Sequence, residues 1–299
     1  MQTLYSIESV SSEIRAGEPR RILRQNIEQS RNLFTYLVYF IAELARFAEK
    51  DAAKRAQKHL PTASDLNINT KIAGNEIIWA ILENDSFQKS ADHFKIKSLI
   101  DDDLVKKLYQ LLIRSAEYEE YIQLPSRDKK SEKKIIEFIF SNLMLPEEAF
   151  ISSLEERYMN WDDDAEMMIV LMNGLLQKPS AFNFREIAGK EKMEFATELL
   201  QCVIDKKEYC LELIKPKLKN WDPERIAALD MILMEMGVCE FLYFETIPPK
   251  VTINEYIDLA KEYSTEQSGH FVNGMLDNIH KELAAQDKIH KKNFKNSTL

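Results

Sequence analysis

Residues 247–277 have the sequence IPPKVTINEYIDLAKEYSTEQSGHFVNGMLD, and this stretch predicts two consecutive helices separated by a short polar break. Apolar side chains recur every three or four residues on both sides of the break, which is the spacing of an amphipathic helix. The two helices are therefore expected at Ile253–Tyr263 and Thr265–Ala285.

Three helix starts in this part of the chain carry recognisable capping residues. Thr252 and Glu255 have the spacing of a capping box, in which the threonine hydroxyl accepts a backbone N–H and the glutamate reaches back to the cap. Ser264, with a glutamine three residues later, predicts the start of the next helix in the same way. Asp222 stands directly before a proline, which is typical of an N-cap followed by the first helical residue.

Glycine and proline are scarce along the whole chain, because 299 residues contain only 7 glycines and 9 prolines. This composition predicts an all-α protein and argues against the glycine-rich loops of nucleotide-binding folds. The basic stretch 125–134 is predicted to be a linker and the main internal boundary, with a second break at 179–183. Further helices are expected at Arg20–Lys58, Glu76–Leu82, Ile96–Leu124, Glu132–Met144, Pro146–Tyr158, Asp163–Leu176, Glu186–Lys217 and Pro223–Phe244.

Charge is unevenly distributed along the chain. The net charge is −9, but residues 1–60 and 281–299 each carry +3, which leaves −15 on residues 61–280. An acidic middle does not attract polyanions through bulk charge, so a nucleic-acid site would have to be local. Three arginines lie near one face of the first long helix: Arg20, Arg24 and Arg31, with Arg21 close by. They form either a phosphate-binding stripe or an ordinary solvated face.

No pattern in the sequence indicates catalysis. The signature motifs of hydrolases, nucleotide-binding loops and zinc proteases do not occur, and the five histidines are scattered. Cys202, Cys210 and Cys239 lack metal-ligand spacing, and Cys202 and Cys210, two turns apart on a predicted helix, are interpreted as core residues. The most apolar stretch, residues 33–42, is too short to cross a bilayer. We therefore expect a cytoplasmic protein with no enzymatic activity, no cofactor, no metal and no membrane association.

Residues 225–283 resemble the NusB family of transcription antitermination factors. The motif series Val-x-Ile-Asn-Glu, Leu-Ala-Lys and Phe-Val-Asn-Gly occurs here in the family's order, ending at Asp277. Residues 1–6 resemble the end of the family's first helix. The resemblance implies an all-α, NusB-like helical bundle with an additional helical insertion.

The resemblance also implies a split domain organisation. The NusB-like bundle would consist of residues 1–9 and 184–290. Residues 10–183 would be a helical insertion of unassigned role, and residues 291–299 a basic, frayed tail.

Proteins of this family act by binding. The resemblance implies that the chain binds a short single-stranded boxA-type RNA together with NusE, a ribosomal protein of the small subunit. The complex would modify the RNA polymerase elongation complex so that it resists termination. Unpaired RNA of this kind is held by aromatic stacking and by cations on the phosphates.

Residues are assigned to this function by their match to the family's motifs. On that basis Asp230 and Glu240 fall on the helix expected to face NusE. Phe271 has a second interpretation, because with Met275 and Ile279 it lies on an apolar stripe that predicts a core position. The residues expected to contact RNA are Tyr5, Lys250, Tyr263, Gln267, His270, Phe271 and Asn273.

The chain also departs from the family. An arginine-rich turn usually precedes the segment matched here by residues 2–6, and Met231, Glu235 and Cys239 stand where relatives often have two arginines and a tyrosine. Three explanations stay open: a translational start upstream of Met1, substitution by the arginine face of the first long helix, or loss of RNA binding. In the last case the chain would be a helical protein-interaction scaffold that keeps the fold.

Overall fold

The computed structural model describes residues 1–9, 15, 17–218 and 226–292, with backbone only at Ser64. These residues form helices joined by turns, and no β-strand occurs among them. The predicted all-α class is therefore confirmed. No helix in the described part of the chain is both long and apolar enough to cross a membrane.

The α-helices vary from one turn to more than ten turns. In chain order they are α1 (Gln2–Ser9), α2 (Glu18–Ala56), α3 (Ala63–Leu66), α4 (Glu76–Leu82), α5 (Asp85–His93), α6 (Asp102–Leu112), α7 (Ala116–Gln123), α8 (Lys129–Phe138), α9 (Glu148–Arg157), α10 (Trp161–Gln177), α11 (Lys190–Ile214), α12 (Ala228–Tyr243), α13 (Pro249–Tyr263) and α14 (Glu266–Ala285). Shorter 3₁₀ turns occur at Lys71–Gly74, Ile96–Leu99 and Lys215–Leu218, and a π-helical turn at Ile139–Met144 continues α8.

The structure divides into two compact units. Residues 1–26 and 188–299 form the first unit, and residues 27–187 form the second unit. Helix α2 contributes to both, because Ile22 and Leu23 in its first turns pack against the core of the first unit. The sequence-based division placed these turns in the insertion instead.

Helix α12 lies at the centre of the first unit. It packs against α1, α11, α13 and α14, and residues 232–241 are buried without interruption. Such burial follows from a sequence with apolar residues on every side of the helix and no continuous polar face, since a helix of this kind must be covered all round. The surrounding helices are amphipathic and turn their apolar faces towards α12.

Two of the predicted helix starts in the first unit are wrong. Helix α13 begins at Pro249, one turn before the predicted capping box, because proline suits the first helical position. Thr252 is consequently inside the helix, where its buried hydroxyl donates to Glu240 instead of capping. Helix α14 is capped by Thr265, whose hydroxyl accepts the N–H of Ser268, and not by the preceding serine. The predicted cap at Asp222 lies outside the described residues.

The second unit has its own apolar core, built mainly on α2. Helix α4 has the predicted bounds, but the predicted helix Ile96–Leu124 is interrupted because Asp101 and Ser115 cap new helices, α6 and α7. The predicted linker at 125–134 is wrong from Lys129 onwards, where α8 begins. Burial of isoleucines on α8, together with a capping aspartate, overrides the hydrophilic composition of its first turn.

Close packing against α12 gives a test of the fold. A Cβ atom added at Gly237 would lie 2.7 Å from a methyl group of Leu276, which is fully buried on α14. We expect Gly237→Ala to lower the free energy of unfolding by about 1–2 kcal/mol, because overpacking outweighs the gain in helix propensity. Gly274→Ala, which meets no atom within 4 Å, should raise it by up to about 1 kcal/mol. Urea denaturation measures both, and equal effects would contradict the described packing.

Candidate nucleic-acid interface

Tyr5 is displayed by the short helix α1. Thr3, Leu4 and Ile7 of this helix are buried, and α1 packs against α12, so the opposite face points outward. Tyr5 lies on that face with 49% of its surface exposed. A phenol ring held on a docked helix and open to solvent is suited to stacking with an unpaired base.

A second group of predicted residues lies on α13 and α14. Lys250 is exposed in the first turn of α13, and Tyr263 is half-buried at the end of that helix. Gln267, His270 and Asn273 are exposed and follow one another at three-residue intervals along α14. Because α1, α13 and α14 all pack against α12, that buried helix is the common support of the predicted RNA-binding residues.

Phe271 is placed differently from the other predicted contacts. Only 8% of its surface is exposed, and it belongs to the same buried cluster as Met275 and Ile279. This is the position that the apolar stripe predicted. In this structure the ring is a core residue, so it is not available for stacking on a base.

The two predicted partner-binding carboxylates are also buried. Glu240 accepts hydrogen bonds from the hydroxyls of Thr252, at 2.8 Å, and Tyr256, at 2.6 Å, both on α13. Burial raises the pKa of Asp230, and hydrogen bonds from Ser268 and Ser264 oppose that shift. The expectation that these carboxylates face a protein partner is therefore corrected, since they hold α12 to its neighbours.

A cation that the sequence analysis did not select lies beside this group. The stem of Lys261 packs so closely on α14 that a Cβ at Gly269 would lie 2.6 Å from its Cγ atom. Its ammonium group reaches Glu266 at 3.6 Å and is exposed. The signal in the sequence was a glycine inside a predicted helix, which often marks a close approach.

The arginine face of α2 is shorter than predicted. Arg20, Arg21 and Arg24 are exposed in the first unit, and Arg24 makes no ion pair with a described residue. Asn26, at the end of this segment, donates to the Thr3 hydroxyl of α1 at 3.3 Å. The exposed arginines therefore lie close in sequence to a residue that touches the helix of Tyr5.

Arg31 does not extend this face. Its guanidinium pairs with Glu28 at 2.7 Å and lies 4.7 Å from the ring centre of Phe94 in the second unit. The side chain is mostly buried there. Packing and a cation–π contact give Arg31 a structural role.

Glu235, at one of the three positions where the sequence analysis expects a departure from the family, is a buried carboxylate of α12. It is 2% exposed, and its Oε2 atom has no hydrogen-bond partner. Burial raises its pKa to about 7, while the ammonium of Lys207 lowers it and the carboxylate of Glu8 raises it further. Lys207 and Glu8 form an ion pair that joins α11 to α1.

No metal site is evident in the part of the chain that the structure describes. No group of three or more histidine, cysteine, aspartate or glutamate residues there is arranged to hold a metal ion. The expectation that the protein needs no cofactor stays a prediction.

Glu235 makes the stability of the first unit dependent on pH. In the unfolded chain its carboxyl group titrates near 4.5, whereas burial raises the folded-state pKa to about 7. Its contribution to stability is therefore complete below about pH 4.5 and is lost as the pH rises through about 7. We expect hydrogen exchange of the α12 amides to show a loss of up to about 3 kcal/mol across that interval.

Glu235→Gln should remove most of this loss, because glutamine does not titrate. Glu262→Gln changes an exposed glutamate of α13 and serves as the control that keeps the wild-type pH profile. Identical profiles for the wild type and Glu235→Gln would contradict the assignment.

Comparison with known proteins identifies the bundle. Residues 173–281 match the model of the NusB family. The chain is 41% identical over 101 residues to the transcription antitermination protein NusB of Methylacidiphilum infernorum, which covers 34% of this chain and 70% of that protein. It is 42% identical over 98 residues to the protein of that name from Salinibacter ruber, and the aligned region covers 33% of this chain and 61% of that protein. It is 41% identical over 110 residues to the protein of that name from Finegoldia magna, and the aligned region covers 36% of this chain and 80% of that protein.

No solved structure matches the chain. The family match contains α11, α12, α13 and α14 up to residue 281, and therefore includes Lys250, Gln267, His270 and Asn273, but it does not reach Tyr5. Most of the second unit lies outside it. On the strength of these four helices and the identity to named relatives, the chain belongs to the NusB family.

Proposed function

We propose that this protein is a transcription antitermination factor that binds boxA-type single-stranded RNA together with NusE and acts on the RNA polymerase elongation complex. The observation that carries the proposal is the identity of about 40% with proteins named transcription antitermination protein NusB. In this proposal the protein acts by binding, without catalysis.

The exposed residues of the first unit support an RNA site. Tyr5 offers a stacking surface, while Lys250 and Lys261 offer cations on α13. Gln267 and His270 add hydrogen-bonding groups on α14. Single-stranded RNA is bound by this combination of stacking and local positive charge, even on a protein whose net charge is negative.

NusE would have to contact helices other than α12. That helix is buried over residues 232–241, and its carboxylates at Asp230 and Glu240 are used inside the bundle. Exposed faces of α13 and α14 are available to a protein partner. NusE would therefore bind this protein through residues other than these two carboxylates.

Substitution of Tyr5 tests base stacking. We expect Tyr5→Ala to weaken binding of a boxA RNA about 5- to 150-fold in the presence of NusE, because loss of one stacked base costs about 1–3 kcal/mol. Tyr5→Phe keeps the aromatic ring and should bind like the wild type. Fluorescence anisotropy with labelled RNA measures both, and unchanged affinity of Tyr5→Ala would remove Tyr5 from the site.

The salt dependence of binding tests the cations separately. Each phosphate contact contributes about 0.7 to the slope of log K against log salt for single strands. We expect Lys250→Gln to lower the slope by about 0.7, and Arg24→Gln to do the same if the α2 face replaces the family's arginine-rich turn. Arg46→Gln, in the second unit, is the control. A slope unchanged in both test variants would exclude phosphate contacts at these positions.

A protein-interaction scaffold that keeps the fold without RNA binding is the second candidate function. The observation that favours it is Glu235, a buried carboxylate at a position where relatives often have arginine, beside the ion pair that holds α1. RNA titrations that stay flat at low salt, together with retained binding of NusE, would support the scaffold and reject the first proposal.

A further inference from the structure

Helix α10 carries apolar side chains on its outer side as well as on its inner side. The inner side is buried in the core of the second unit through Trp161, Met168, Met172, Leu175 and Leu176. Three other large apolar side chains of this helix are exposed: Met167 by 37%, Ile169 by 39% and Val170 by 69%. No other helix among the described residues exposes more than one such side chain. Clustered exposed apolar side chains are typical of a protein–protein contact.

The outer apolar residues have the spacing of a helix–helix contact. Met167, Val170, Leu171 and Gly174 are separated by three, one and three positions, which places them in one stripe along α10. Within this stripe Leu171 is half-buried and Gly174 is exposed. Ile169 lies on the flank of the helix, outside the stripe. We call the four aligned residues the outer stripe.

The outer stripe is complementary to itself in size. Its midpoint falls between Val170 and Leu171, and the other two residues lie at equal distances on either side. When two copies of α10 pack antiparallel about a two-fold axis through that midpoint, Met167 of each copy lies over Gly174 of the other. A Cβ atom at Gly174 would contact only the ring of Phe182, at 3.9 Å, so the space above the glycine is open to a large side chain.

Charge determines the direction in which two copies of α10 would pair. The helix begins with three aspartates at 162–164 and the exposed Glu166, and it ends at the exposed Lys178. Asp163 and Lys178 are also equally distant from the midpoint of the outer stripe. Antiparallel pairing therefore places the lysine of each copy beside the acidic first turn of the other. Parallel pairing would bring two acidic turns together and align the helix dipoles unfavourably.

We propose that the outer stripe of α10 is a docking surface for a second copy of this chain, which forms an antiparallel, two-fold symmetric helix pair. A helix of 17 residues is only about 25 Å long, so this contact is smaller than a standard stable interface. We therefore expect a reversible dimer that forms at micromolar concentrations. The inference goes beyond the proposed function, because neither RNA nor NusE takes part in the contact.

Only the last five residues of α10, 173–177, lie within the match to the NusB family. The outer stripe is therefore mostly a feature of the additional region. Dimer formation would give a function to a part of the chain for which the family match implies none.

Analytical ultracentrifugation of the full chain without RNA, over a range of protein concentrations, measures this association. We expect a monomer–dimer equilibrium without larger species, because a two-fold contact is closed. Val170→Glu should weaken dimer formation about tenfold or more, since it brings two carboxylates together at the axis. Leu111→Glu changes an exposed apolar residue of α6 in the same unit and is the matched control that should dimerise like the wild type.

Two further variants test the register of the helix pair. Gly174→Leu adds apolar surface and raises helix propensity, but it fills the space that Met167 of the second copy requires. We expect it to weaken dimer formation as much as Val170→Glu does. Lys178→Glu reverses two charge pairs and should weaken the dimer about fivefold at low salt, with a smaller effect at high salt. Circular dichroism checks that each variant keeps the helix content of the wild type.

Three results would overturn the proposal. A wild-type chain that stays monomeric would leave the outer stripe to a partner of another kind. A Val170→Glu variant that dimerises as well as the wild type would place the contact elsewhere on the surface. A Gly174→Leu variant that dimerises more tightly would indicate apolar association without the proposed register. All three are measured without RNA or NusE, so failure of this inference is distinguishable from failure of the proposed function.

Discussion

A helix covered on all sides can hold carboxylates only if its neighbours compensate for the loss of water, and α12 holds three. Asp230, Glu235 and Glu240 occur along it at five-residue intervals, and all are buried. An uncompensated buried charge costs several kcal/mol, so each carboxylate either recruits hydrogen-bond donors or stays protonated. The arrangement of the helices around α12 follows from how each of the three meets this requirement.

Two of the carboxylates recruit donors and thereby fix α13 and α14. Glu240 receives two hydroxyl groups from α13, and Lys291 donates to the carbonyl oxygens of Glu240 and Phe244 at the end of α12. Asp230 is hydrogen-bonded by serine hydroxyls where α14 begins. The same contacts that satisfy the core set where Lys250 and the exposed face of α14 reach the surface. Buried polar groups therefore position a surface site without touching its ligand.

The sequence was sufficient to place some helices, and insufficient for helix interruptions, caps and the environment of single residues. Periodicity placed α4 correctly and α14 to within one residue, because apolar spacing is a property of the local chain. The predicted cap at Thr252 failed because a proline three residues earlier already starts the helix, which frees the hydroxyl for Glu240. Burial of Asp230 also could not be predicted, since it depends on helices that are distant in sequence.

Asp230 and Glu235 each leave one carboxylate oxygen without a hydrogen-bond partner, and Glu235 is the one whose pKa burial raises to about 7. Its Oε2 atom finds no donor, so the carboxyl group meets the requirement by staying protonated over a wider pH range than usual. Its charged neighbours, Lys207 and Glu8, belong to the ion pair between α11 and α1. Ionisation of Glu235 therefore places a negative charge beside the ion pair between α11 and α1, the helix that displays Tyr5. The charge state of the core is thus coupled electrostatically to the helix that carries the exposed aromatic ring.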